Sequence, residues 1–290
     1  MRLEPDTLHE LSRLAQAAAL RAGRLIARRR GDFGQPEYKS ESSSLAANIV
    51  TEVDRESQRI IVATLAPSLA RNELGLLAEE SADDGSRFEK DHFWCVDPLD
   101  GTLQFSENQP GFAVSIALVS RSGQSLIGVA HDPASGDLYT AVRGQGARKN
   151  HRRLHVPAPT NAHFTLTVDG GFLKHPDSER RLNAIRDRLR ANGYPELRVV
   201  PVGGAVMNAC YVLEHPPAIY LKFPKKEGGG SLWDYAATAA IFHESDASVT
   251  DLYGGPLELN RRESVSMNHR GLLYASDHEI AALFTNTTWP

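Results

Sequence analysis

Phe93-Trp94-Cys95-Val96-Asp97-Pro98-Leu99-Asp100-Gly101-Thr102 is the stretch on which the reading of this chain turns. Its first four residues form a short run rich in aromatic and β-branched side chains, a composition that favours a strand. The strand is expected to stop at Asp97-Pro98, because Pro98 has a fixed φ and no N–H to extend a sheet. Asp97 and Asp100 then emerge at the strand's carboxyl end, across a turn and close enough to share one cation. Gly101 allows close backbone approach. Thr102 opens the next segment; if that segment is a helix, the Gly101 and Thr102 amides face any bound anion. Two carboxylates beside an amide nest suit a metal-dependent phosphate site. Taken alone, the hexapeptide is explained as well by an ordinary Asx turn.

Moving outward, three more acidic spots stand at element ends. Asp54 falls in Val50-Thr51-Glu52-Val53-Asp54, early in a helix expected over Thr51–Leu65. Glu79 and Glu80 close the apolar run Leu74-Gly75-Leu76-Leu77-Ala78. Asp234 follows Trp233 at the head of an apolar helix expected over Leu232–Ser245. Each has a plainer explanation when taken singly: a helix cap worth about 1 kcal/mol, or a solvated pair. A long amphipathic helix is expected over residues 6–30, followed by a polar, turn-rich segment, Gly31–Ser44. Phe112–Val119, Ser125–Ala130 and Leu138–Val142 read as an antiparallel meander. Strands and helices then alternate from Phe164 to Asp251. The expectation is a mixed α+β and α/β protein of two fused halves. Residues 1–150 carry most of the acids, and residues 151–290 contribute Asp234.

Charge and composition remove other classes. The 290 residues hold 32 Lys and Arg against 36 Asp and Glu, a net charge of −4. That balance argues against nucleic acid held by a basic face. No apolar run approaches a membrane span. Two cysteines, Cys95 and Cys210, read as reduced buried thiols rather than a secreted framework, which points to the cytoplasm. No HExxH, P-loop, G-x-S-x-G or Cys-x-x-Cys motif is present.

Taken together, Val50–Asp54 (VTEVD), Ala78–Ser81 (AEES), Asp97–Thr102 (DPLDGT) and Leu232–Ala237 (LWDYAA) resemble, in order and interval, the inositol monophosphatase-like metal-dependent phosphatases. Lesser matches run through residues 128–150, at Gly128, Pro133, Gly136, Tyr139, Gly144, Gly146, Ala147 and Asn150. The resemblance implies a layered α-β-α-β-α sandwich of the sugar-phosphatase type, with the site between the halves. It implies that Asp97 bridges two Mg²⁺ ions. Glu79 and the Leu99 carbonyl complete the first ion's ligands, and Asp100 and Asp234 those of the second. Glu79 and Thr102 would orient and activate water. Asp54 would partner the threonine and help hold a third ion. Asp100, Gly101, Thr102 and Glu227 would contact substrate. Lithium inhibition and a homodimer are further implications. Convergent carboxylates support the same conclusion independently of the name: two like charges about 4 Å apart repel by about 4 kcal/mol at an effective dielectric near 20, so such a cluster needs cations.

The chain also departs from the family pattern. The usual Ser-Pro is replaced by Ala47-Asn48-Ile49-Val50, and the preceding loop, 39–48, is longer than in inositol monophosphatases. Leu103-Gln104 stand where an Asn or Glu is usual. Lys222–Ser231 is unusual too: Lys222, Lys225 and Lys226 could grip a second phosphate, although a solvated basic loop is the plainer reading. The expected substrate is a small phosphorylated metabolite, with adenosine 3′,5′-bisphosphate slightly favoured by the wording of DPLDGT and WDYAA. Inositol phosphate or a related sugar phosphate is the alternative, suggested by Glu227 standing seven residues before Asp234. A metal-binding regulatory protein without turnover is the reading from a different class.

Overall fold

The structure, a computed structural model, describes residues 3–30, 37–38, 49–50, 52–159, 163–226, 228–285, 287 and 289. Thr51, Glu227, the expected polar segment Gly31–Ser44 apart from Glu37 and Tyr38, and the loop 39–48 lie outside these residues. In chain order the first half comprises α1 (Pro5–Arg29), β1 (Glu37–Tyr38), β2 (Ile49–Val50), α2 (Glu52–Arg71), β3 (Gly75–Ala78), α3 (Ser86–Glu89), β4 (His92–Asp100), α4 (Thr102–Ser106), β5 (Ala113–Ser120), β6 (Ser125–His131), β7 (Leu138–Val142), β8 (Gly146–Lys149) and β9 (Arg152–Arg153). The second half comprises β10 (Phe164–Thr167), α5 (Gly170–Leu173), α6 (Ser178–Ala191), β11 (Leu197–Val200), α7 (Ala205–Glu214), β12 (Ala218–Lys222), α8 (Leu232–His243), β13 (Ser248–Thr250), β14 (Leu272–Ala275) and α9 (His278–Phe284). Among the described residues, no helix is long and apolar enough to cross a membrane.

Strands β3 to β9 form one seven-stranded sheet in sequence order, and β11-β10-β12-β14-β13 form a five-stranded mixed sheet. Side chains alternate across a strand, so each strand sends one set of residues to each face. In β4, Phe93 and Cys95 join the central core while Trp94 and Val96 join the core under α1 and α2. In β12, Ala218 and Tyr220 face the same central core, and Ile219 and Leu221 face the core beneath α6 and α9. The central core is filled by α7 and α8, so the layers run α1/α2, seven-stranded sheet, α7/α8, five-stranded sheet, α6/α9. This is the expected α-β-α-β-α sandwich. Helix α8 lies between two sheets and is therefore apolar nearly all round. Gly128 in β6 lets that helix come close, since a Cβ there would collide with the Ala237 carbonyl.

Two sequence expectations are corrected. Strand β4 does not stop at Asp97-Pro98 but continues to Asp100, through a register shift in which Asp97 pairs with Ser115 and Asp100 with Ala113. Three steps on β4 thus match two on β5. This is a bulge, the place in a sheet where a residue lacking an N–H is tolerated. Helix α2 runs past Leu65 and Pro67 to Arg71. Its last turn is anchored from outside, where the Trp94 indole donates to Ser68 Oγ at 2.9 Å.

Candidate metal centre

The bulge in β4 builds the site. In a regular strand, residues three apart point to opposite faces. The extra residue in β4 brings Asp97 and Asp100 back to one face, and α8 supplies Asp234 from the other half. One carboxylate oxygen of each lies within 4.8 Å of the other two. Asp97 and Asp100 are buried and Asp234 is half-buried.

Each acid is held by backbone amides. Asp97 Oδ1 accepts from Leu99 N–H at 2.9 Å. Asp100 accepts from Ala205 N–H at 3.1 Å and Val206 N–H at 2.8 Å, the first amides of α7. Asp234 Oδ2 accepts from Ser231 N–H at 3.1 Å and belongs to the capping box of α8. Asp234 is thus both a helix cap and a member of the carboxylate cluster. Helix α8 is pinned to the sheet by Ser115 Oγ donating to the Trp233 carbonyl at 3.0 Å and Ser125 Oγ to the Ala236 carbonyl at 2.7 Å.

Electrostatics show what the cluster lacks. Burial, then Glu79, Asp100 and Asp234, push the Asp97 carboxyl well above its ordinary value. Burial and Asp234 push Asp100 up to about 8, against the pull of the α7 amides. Burial raises Asp234, with Lys222 opposing. Glu79 is raised by burial and by Asp234, Glu80 and Asp54. Like charges in a desolvated site favour the neutral form unless a cation enters.

The other expected residues border the triad. Glu79 closes β3, its N–H donating to the Val96 carbonyl at 3.2 Å, and Asp54 is buried in the first turn of α2. Ser57, one turn along that helix, donates to the Pro98 carbonyl at 2.8 Å and ties α2 to the bulge. Glu80 N–H donates to Gln58 Oε1 at 2.8 Å. Thr102 Oγ1 donates to the Leu99 carbonyl at 3.1 Å, and Leu99 itself is buried. Gly101 sits at φ 82°, where a Cβ would stand 2.7 Å from the Gly111 carbonyl oxygen. Only glycine fits that turn. Glu227 lies outside the described residues.

Two features escaped the sequence. Gly203-Gly204 opens α7, and a Cβ at Gly204 would collide with the Asp100 carboxylate. Asp169, just beyond β10, accepts from Tyr220 OH at 2.7 Å and lies 2.8 Å from Lys222 Nζ. Asp169 follows an apolar strand as Asp97 does, a signal the sequence offered. Lys222 is not part of a solvated loop: 13% of its side chain is exposed.

Residues 7–289 match the inositol monophosphatase family. A protein of Mesorhizobium japonicum called inositol-1-monophosphatase is 35% identical over 269 residues, covering 91% of this chain and 95% of that one. The Nus factor SuhB of Escherichia coli strain K12 is 30% identical over 249 residues, 86% of this chain and 87% of its own. The crystal structure of the extragenic suppressor protein suhB from Bartonella henselae superposes with a TM-score of 0.71 at 28% identity, covering 95% of this chain and 98% of that one.

Proposed function

The chain belongs to the inositol monophosphatase family of metal-dependent phosphatases, and on that premise we propose that it releases phosphate from a small phosphorylated metabolite with Mg²⁺ held by Asp97, Asp100 and Asp234. The observation that carries this reading is the triad itself, three carboxylates drawn together within 4.8 Å and raised in proton affinity. Hard oxygen donors without nitrogen or sulfur suit Mg²⁺ rather than Zn²⁺. In this reading Asp97, Asp100 and Asp234, with Glu79 and the Leu99 carbonyl, hold two ions, and Asp54 supports a third.

Bound Mg²⁺ neutralises the carboxylates and polarises the phosphoryl group as a Lewis acid. The chain's own residues do the rest. Glu79 takes the proton of the attacking water, since with the neighbouring carboxylates neutralised by cations its own carboxyl is ionised and able to act as a base. Thr102 Oγ1 gives its hydrogen to the Leu99 carbonyl, so its lone pairs are left to orient that water. The Gly101 and Thr102 amides receive phosphate oxygens. Asp100, fixed by two amides, and Glu227 receive substrate hydroxyls.

Inositol 1-phosphate ranks first as substrate, because the Mesorhizobium japonicum relative carries that activity in its name. This reverses the order expected from the sequence. Adenosine 3′,5′-bisphosphate is kept as a second reading because the Lys222 ammonium, ion-paired with Asp169, exerts its field on Asp234. Millimolar lithium inhibition, a homodimer and a cytoplasmic location belong to the same proposal. Free, buried Cys95 and Cys210 agree with a reducing compartment. Nucleic acid has no place in it, given the net charge of −4.

The test is phosphate release with Mg²⁺ from inositol 1-phosphate, adenosine 3′,5′-bisphosphate, fructose 1,6-bisphosphate and histidinol phosphate. Release from at least one is expected. Silence from all four would favour the regulatory, non-turnover reading instead.

A further inference from the structure

The hold on Asp100 depends on a residue that the site as described leaves out. Helix α7 offers Asp100 its Ala205 and Val206 N–H groups, at 3.1 and 2.8 Å. Those amides are aimed by the turn before them, Gly203-Gly204. Glycine has more backbone freedom than any other residue, so two in succession give this turn no stiffness of its own. One side of the turn is fixed by Gly204 N–H, which donates to the Gly111 carbonyl at 2.8 Å. The other side is fixed from within α7. Asn208, fully buried, donates through Nδ2 to the Gly203 carbonyl at 2.8 Å and to the Gly204 carbonyl at 2.9 Å.

The other half of the same amide shows that stability is not what this side chain supplies. Asn208 Oδ1 is buried with no hydrogen-bond partner. Turning the amide over is no remedy, because Oδ1 would then face both carbonyls and, at 3.5 Å, Asp169 Oδ1. A buried acceptor without a donor weakens folding. Leucine at this position would remove that unpaired oxygen and leave at most one other in its place, the Gly203 carbonyl. The Gly204 carbonyl would keep the backbone N–H of residue 208, which donates to it at 3.0 Å. The backbone of Asn208 is tied independently of the side chain, since its carbonyl accepts from Thr167 Oγ1 at 3.1 Å. What the side chain alone adds is its grip on the two glycines that aim α7 at Asp100.

We propose that Asn208 is a positioning residue for the metal-dependent reaction: by pinning Gly203 and Gly204 it keeps the first amides of α7 on Asp100, and so holds that carboxylate in the orientation in which it joins Asp97 and Asp234. Asn208 acts through Asp100 and contacts neither ion nor substrate. The proposal rests on the phosphatase reading of the triad and extends it to a residue one turn into the helix behind the site.

Asn208→Leu and Thr167→Val, each in the full chain, separate positioning from stability, because the first removes the bonds of the Asn208 side chain and the second only the bond to its backbone carbonyl. Calorimetry gives the Mg²⁺ affinity of the substrate-free protein, phosphate release gives Mg²⁺ activation and KM, and thermal unfolding without metal gives Tm. Asn208→Leu should weaken Mg²⁺ binding about tenfold and raise the half-activating Mg²⁺ concentration by the same factor. Its Tm should stay within about 3 °C of the parent and its KM at saturating Mg²⁺ within about twofold. Thr167→Val should lower Tm and leave Mg²⁺ affinity unchanged. Asn208→Ser keeps a hydroxyl able to reach the Gly204 carbonyl four residues back, so it should lose less than leucine does, about threefold. If the leucine variant does not fold, the serine variant carries the test. Unchanged Mg²⁺ affinity in the folded Asn208 variant, or an equal loss in Thr167→Val, overturns the positioning role. The parent judges the phosphatase reading separately: Mg²⁺ binding without phosphate release fails that reading and leaves the affinities to decide this one. If the parent binds no Mg²⁺, a crystal structure of the Asn208 variant decides, and Asp100 still bonded to both α7 amides overturns the proposal.

Discussion

Two clusters of charge stand at the two ends of α7, and they are tuned in opposite directions. At its start, Asp100 meets Asp97 and Asp234, and every member is driven toward its neutral form. At its end, Glu214 meets Lys149, which also pairs with Asp137 at 2.9 Å, and Tyr139 OH donates to the same glutamate. Burial works against both partners there, yet the hydrogen bonds and opposite charges prevail. Lys149 is raised and Asp137 lowered, each toward its charged form. The second cluster is complete in itself. The first needs something positive from outside the chain, and that difference in direction separates a structural ion network from a site made for a ligand.

The largest effect that could break this contrast is the loss of Asp97. Asp97→Asn should lower kcat by at least about a thousandfold while the protein stays folded, because it removes a shared ligand and relieves repulsion in the triad. Retained turnover would sink the two-metal reading. Thr102→Ala comes next, with kcat down about a hundredfold and KM nearly unchanged, read by steady-state kinetics. A rise in KM alone would make Thr102 a substrate contact. Lys149→Met probes the other end of α7. It leaves Glu214 and Asp137 facing one another and should cost about 1–3 kcal/mol in urea unfolding, with turnover within about twofold of the parent. If Lys149→Met abolished turnover, the two ends of α7 would not be separable.

The sequence exposed the triad because each acid stands at an end of an apolar run, Asp97 and Asp100 after one and Asp234 at the head of another, a pattern read from neighbours along the chain. The layering is implied by the family resemblance rather than by periodicity, because β4, β5 and β12 are buried on both faces and divide their residues between two cores without a visible polar–apolar alternation. Strand β14 and helix α9 were not foreseen. Leu272–Ala275 is apolar on both faces because it lies between β12 and β13, and four residues carry too little periodicity to identify a strand. Lys222 was misread because Lys222-Phe223-Pro224-Lys225-Lys226 has the composition of a solvated loop. What buries its side chain comes from elsewhere in the chain, Asp169 from the end of β10 and Tyr235 from α8. The bulge escaped as well, since a proline after an aspartate reads as a strand's end unless the partner strand's register is known.

The smallest expected effect distinguishes the clusters without altering a residue. In the metal-free protein, Asp97, Asp100, Asp234 and Glu79 bind protons more tightly when folded than when unfolded. Between the ordinary carboxylate range and about 8, where Asp100 titrates, the folded state therefore holds the extra protons. Stability without metal must fall as pH rises through that window. Mg²⁺ competes with the same protons, so its binding strengthens as they leave. At a hundredfold excess over its dissociation constant it adds about 2.7 kcal/mol, an increase in Tm of about 5 °C for a chain of this size. That increment should be present at pH 8 and nearly absent at pH 5, as followed by thermal unfolding with and without Mg²⁺. The Lys149 cluster cannot produce it. Asp137, lowered, loses its contribution only as pH falls through its folded value, and Lys149, raised, loses its own only as pH climbs through its folded value. Both changes lie outside the window between 5 and 8. An Mg²⁺ increment equal at the two pH values would mean that the triad is not where the ion binds, and the contrast between the two ends of α7 would lose its meaning.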